Sequence, residues 1–99
     1  MFNNEDIRKI SVLFKALGNS TRLKIVTLVS ETKRPLHIKA VARLLKKNYA
    51  ATYRQVKVLE RSGLIGIYEV GRSRVLYPKD EKLINLFIEF AKKLTQKKH

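Results

Sequence analysis

Six side chains between positions 49 and 61 have the types and spacing to contact a nucleic acid. Tyr49, Ala50, Tyr53, Arg54, Lys57 and Arg61 recur at intervals that place them along one face of a helix. Ala50 permits close approach, and the Arg, Lys and Tyr donors are long enough to reach base edges and phosphates. Asn48 is placed to cap such a helix and Gly63 to end it, and Val56 and Leu59 mark its inward side. The outer face suits a DNA groove.

The other reactive side chains do not assemble a catalyst. Ser11, Ser20, Ser30, Ser62 and Ser73 have only His37 and His99 as conventional bases, and the carboxylates form no patterned pair. The four glycines, 18, 63, 66 and 71, fall at expected helix ends or in a hairpin, leaving none for a phosphate-binding loop. The chain has no cysteine, which excludes disulfides, thiolate metal sites and cysteine nucleophiles and fits an intracellular protein. No enzyme activity, metal or cofactor is expected.

Charge is the strongest compositional signal: 22 Lys and Arg against 8 Asp and Glu give a formal +14 on 99 residues. Such a field draws polyanions by counterion release before any sequence is read. An anionic membrane surface would need an amphipathic helix with an unused apolar face, whereas the core requires these apolar faces. The chain has neither a membrane-length apolar run nor a secretory start, so a soluble, cytoplasmic protein associated with DNA is expected. Its length supports one domain with a modest core, and with no disulfides a dimer is the expected supplement.

The elements that must position the 49–62 helix follow from periodicity and punctuation. Ile7, Ile10, Leu13, Phe14 and Leu17 predict an amphipathic helix over about 5–17, begun at Asn3 or Asn4 and ended by Gly18 in the left-handed conformation. Leu23, Ile25, Val26, Leu28 and Val29 predict a second helix over about 20–31, apolar on nearly every side and therefore buried. After the break at Pro35, Leu36–Ile38 suit a short strand, and Val41, Ala42, Leu44 and Leu45 predict a helix over about 39–46. Lys46, Lys47 and Asn48 turn into the next helix, so that about 39–62 reads as a helix-turn-helix. Two β-branched and aromatic runs over about 64–77, joined by Gly71-Arg72-Ser73, predict a hairpin with a basic tip. Pro78 ends it, Asp80 caps a last helix over about 81–96, and Lys97, Lys98 and His99 are expected to fray. The class is mainly α with a β-hairpin wing, in one domain over 1–99.

Three local words in this order resemble the ArsR/SmtB-type winged helix-turn-helix repressors. They are Leu17-Gly-Asn-Ser-Thr-Arg-Leu-Lys-Ile-Val26, Gln55-Val-Lys-Val-Leu-Glu-Arg-Ser-Gly-Leu-Ile65 and Gly71-Arg-Ser-Arg-Val-Leu-Tyr77, and the similarity covers roughly residues 7–95. The resemblance implies a homodimeric repressor paired through its first and last helices, with Ile7, Ile10, Phe14, Leu83, Phe87, Phe90 and Leu94 at the interface. It also implies that Tyr49, Ala50, Tyr53, Arg54 and Lys57 read a major groove. Arg72, Ser73 and Arg74 of the wing, with Lys46 and Lys47, would lie along the phosphate backbone. The family's Cys-x-Cys metal ligands align here with His37 and Lys39, and its last-helix site finds only Asp80, Glu81, Glu89 and His99. A protonated Lys cannot ligate, so no metal is expected, and His37 is read as a capping or partly buried structural residue. Two alternatives stay open: a non-specific architectural DNA-binding protein, and a winged-helix module that docks on an acidic protein.

Overall fold

In the computed structural model, which describes residues 1–96, five helices surround a three-stranded antiparallel sheet. The order is α1 (Asn4–Leu17), α2 (Ser20–Glu31), β1 (Leu36–His37), α3 (Ile38–Leu45), α4 (Tyr49–Ser62), β2 (Ile65–Val70), β3 (Ser73–Pro78) and α5 (Glu81–Gln96). This is the expected mainly α class with a hairpin wing. The expected fraying of Lys97, Lys98 and His99 lies outside the described residues.

Side-chain caps explain most of the helix starts. The Asn3 side chain accepts from the Asp6 amide at 2.8 Å while the Asp6 carboxylate accepts from the Asn3 amide at 3.1 Å, a reciprocal box that satisfies two orphan donors. Asn19, Asn48 and Asp80 accept amide hydrogens in the same way at the starts of α2, α4 and α5.

The helix ends depart from expectation in two places. Gly18 is not left-handed but sits at φ −79°, ψ 47°, with the Asn19 amide donating to the Leu17 carbonyl at 2.9 Å, so an inverse γ-turn closes the α1–α2 joint. Lys46, by contrast, takes the left-handed conformation at φ 56°, ψ 43° and ends α3, with its amide turned back to Arg43. This sharp reversal keeps the turn into α4 to three residues. Gly63 ends α4 at φ 88° as its position predicts.

The core gathers Ile25, Val26 and Val29 of α2, Ile38 and Val41 of α3, Val56 and Leu59 of α4, Ile65 and Leu76 of the sheet, and Ile84 of α5. Burial of each such side chain contributes about 1.5–3 kcal/mol. Because α4 buries Thr52, Val56 and Leu59, its opposite face is left in solvent. The buried Thr52 hydroxyl donates to the Asn48 carbonyl at 2.9 Å and so carries no unpaired polar atom inward. The sheet runs β1-β3-β2, with Leu36 opposite Leu76 and Val70 opposite Ser73, leaving Gly71 and Arg72 as a two-residue turn. A φ of 60° at Gly71 alone is the pattern of a type II′ turn, which needs glycine at its first central position.

Two helices are less buried than a monomer's economy would ask. The expectation that α2 is buried all round is corrected: Leu23 is exposed and forms an open apolar shelf with Leu28 and with Leu44 and Leu45 from the end of α3. α5 has only Ile84 fully buried among its 16 residues. Leu86, Phe90 and Leu94 are at least 60% exposed, and a groove between α1 and α5 is walled by Leu13, Phe14, Leu83, Leu86 and Phe90.

Candidate nucleic-acid interface

The orientation of α4 is set by contacts at a distance in sequence. Arg22 of α2 donates from Nε to the Ala16 carbonyl at 2.6 Å, from Nη2 to Lys15 at 3.3 Å, and from Nη1 to Oε1 of Gln55 at 2.6 Å. One guanidinium thus ties the end of α1 to the middle of α4, using the planar fork that a Lys would lack. Both residues stand in the words that carried the family resemblance, but only the fold shows that they meet.

On the outward side the expected reading residues divide into two groups. Ala50 and Arg54 are exposed, and Arg54 makes no hydrogen bond or ion pair among the described residues. Tyr49 and Tyr53 stack on each other, with ring centres 6.2 Å apart and planes within 10°. The Arg74 guanidinium of the wing lies over the Tyr53 ring at 4.6 Å and donates to the Tyr49 hydroxyl at 3.3 Å. That hydrogen bond, helped by the charge distribution of both tyrosines, holds Arg74 more firmly protonated than an ordinary arginine. The wing is therefore fastened to the first turns of α4 by a cation–π and hydrogen-bonded stack.

Lys57 is also partly engaged. Its Nζ lies 2.5 Å from the Glu60 carboxylate, which raises its pKa, and 5.9 Å from the centre of the Tyr53 ring. Arg61 is exposed in the last turn of α4, about 18 Å along the axis from Tyr49. Lys46 and Lys47 stand exposed on the turn between α3 and α4, and Arg72 and Ser73 are exposed at the wing tip.

His37 is placed differently from its structural reading. It is exposed at the N-terminal boundary of α3 and makes no capping hydrogen bond. With Lys39 it lines a cleft of about 170 Å³ whose other walls are Tyr49, Arg72, Ser73 and Arg74. Among the described residues no group of three or more His, Cys, Asp or Glu is arranged to hold a metal ion, and no helix is long and apolar enough to cross a membrane.

Two helices joined by a three-residue turn, followed by a basic hairpin fastened beside the second helix, define a winged helix-turn-helix domain. The chain belongs to the HVO_A0114 family, whose model matches residues 19–83. Its fold is that of ArsR-family structures. It is similar to the homodimeric winged helix-turn-helix DNA-binding domain of Mb0332 from Mycobacterium bovis, a possible ArsR-family regulator, at 21% identity over 94% of this chain and 88% of that one, with a TM-score of 0.79. HlyU from Vibrio cholerae is similar at 20% identity over 89% and 97% of the two chains, with a TM-score of 0.76. The antimony-specific repressor AntR is similar at 18% identity over 98% and 89%, with a TM-score of 0.75. No curated protein sequence matches the chain.

Proposed function

We propose that this protein is a homodimeric, sequence-specific regulator of transcription that acts in the cytoplasm on double-stranded DNA, as a repressor that occludes a promoter. The observation that carries this reading is the outer face of α4, where Ala50 and Arg54 stand clear beside a basic wing. From Tyr49 to Leu59 the helix contains no carboxylate, so nothing on its leading turns repels a phosphate backbone. A small residue next to an unpaired guanidinium gives close approach and a bidentate donor for guanine O6 and N7. Homodimeric Mb0332 and the repressor AntR support the assembly and the sense of regulation by analogy of fold. The reading is of a binding protein, which acts by docking on DNA and not by catalysis.

Arg54→Ala tests the reading at its sharpest point. It should weaken binding to a preferred duplex by about 1–3 kcal/mol and relax selectivity at one base position in each half-site. An equal loss on every sequence would reduce Arg54 to a phosphate contact. A second reading, a non-specific architectural protein, is favoured by the +14 charge, which exceeds what a specific reader requires.

A further inference from the structure

The cleft between the start of α3 and the wing tip is walled by His37, Lys39, Tyr49, Arg72, Ser73 and Arg74, with no carboxylate among them. Three permanent cations and an imidazole converge there from three separate elements, an arrangement of like charges that repel one another unless an anion lies between them. Glu69, which pairs with Arg74 at 4.0 Å, is not among the walls. At about 170 Å³ the cleft has the volume of a handful of waters at about 30 Å³ each, the scale of one phosphate group rather than of a nucleotide.

We propose that this cleft seats a single backbone phosphate of bound DNA, held jointly by His37 and Lys39 from the start of α3 and by Arg72 and Ser73 from the wing. The inference rests on the DNA-binding reading above and adds to it a shared contact that links the two halves of the domain. Lys39 and Arg72 supply the charge, and the Ser73 hydroxyl and an imidazole N–H of His37 supply further donors. Tyr49 completes the wall: its oxygen accepts from Arg74, and its own hydrogen has no acceptor among the described residues, so it is available to a phosphate oxygen. The positions that align with the metal ligands of the resembled family thus carry anion-binding chemistry here. Because Tyr49 also stacks on Tyr53, the seated phosphate fixes the register of α4 in the groove.

The test is a methylphosphonate scan, in which each backbone phosphate of a tight-binding duplex is neutralised in turn and affinity is measured for the full-length protein, Lys39→Gln, Arg72→Gln and a remote control, Lys93→Gln. All three substituted residues lie on the surface, and melting curves check that the variants stay folded. Neutralising the seated phosphate should weaken the unsubstituted protein and the control by about tenfold or more, the scale of a hydrogen bond to a charged group. Lys39→Gln and Arg72→Gln should each lose most of that sensitivity, at the same phosphate in each half-site.

The seat is overturned if the two variants lose sensitivity at different phosphates, or if Lys39→Gln matches the control at every position. It is also overturned if 10 mM inorganic phosphate raises the melting temperature of the unsubstituted protein but not of Lys39→Gln while no duplex position depends on Lys39, since the cleft would then hold a free ion. Failure of the unsubstituted protein to bind any duplex would instead remove the DNA-binding reading itself.

Discussion

Arg54 and Lys46 show how differently two exposed basic residues can be placed. Arg54 has no partner among the described residues, so its guanidinium is unoccupied when a ligand arrives. Lys46 pays for its position in backbone strain, because a left-handed conformation costs a residue with a Cβ roughly 1–2 kcal/mol. Lys46→Gly should remove that strain, partly offset by glycine's greater chain entropy, and raise stability by about 0.5–1 kcal/mol. The same change deletes a cation from the helix-turn-helix turn, so DNA affinity should fall while the melting temperature rises. Parallel melting and DNA titrations check this, and a drop in both would show that the Lys46 side chain stabilises the fold.

Among the elements, α4 turns its outer face outward by its own buried stripe, and its neighbours fix its position. Arg22 fixes its middle through Gln55, and Arg74 fixes its start through Tyr49 and Tyr53. Arg22→Ala should cost about 2–3 kcal/mol by removing charge-assisted hydrogen bonds to two carbonyls and an amide. In a domain of this size that lowers the melting temperature by roughly 10 °C or more. Arg22→Lys should not restore it; full recovery by Lys would mean that charge alone matters at this position.

These two tethers also mark where sequence reading stops. The caps at Asn19, Asn48 and Asp80, the glycine at 63 and the alternation of the hairpin are local signals, and each element they delimit lies within a residue or two of its expected span. The Arg22–Gln55 bond spans 33 residues and the Arg74–Tyr49 bond 25, and periodicity carries no information about such pairs. The exposure of Leu23 is hidden for the same reason: an apolar residue's type does not tell whether another element lies over it. His37 looked structural because a lone histidine has no ligand partner, and only the fold brings Arg72 and Ser73 across from the wing.

At the scale of the whole molecule, among the described residues the apolar face shared by α1 and α5, like the smaller shelf around Leu23 and Leu44, has no cover from its own chain. Leu83, Leu86, Phe90 and Leu94 of α5 and Ile7 and Phe14 of α1 are exposed, whereas Ile10 and Phe87 are half-buried behind them. An exposed apolar patch of this kind on a small domain is the surface that the proposed twofold pairing would cover on both copies at once. Phe90→Glu should give a folded monomer, because Phe90 is 60% exposed and contributes little to the core. Sedimentation equilibrium reads the mass, and a dimer that survives the substitution would move the interface elsewhere. Pairing through these helices would give the two α4 helices the twofold relation that a palindromic site requires, with half-site centres about one helical turn, roughly 34 Å, apart.

Whether the protein reads sequence at all is tested most directly by selection from a randomised duplex library at about 0.2 M salt, where the non-specific attraction of a +14 domain is already strongly reduced. The bound fraction should be enriched in a palindrome with that half-site spacing. Retention of DNA without enrichment, or no retention at all, would contradict a dimeric sequence-specific regulator.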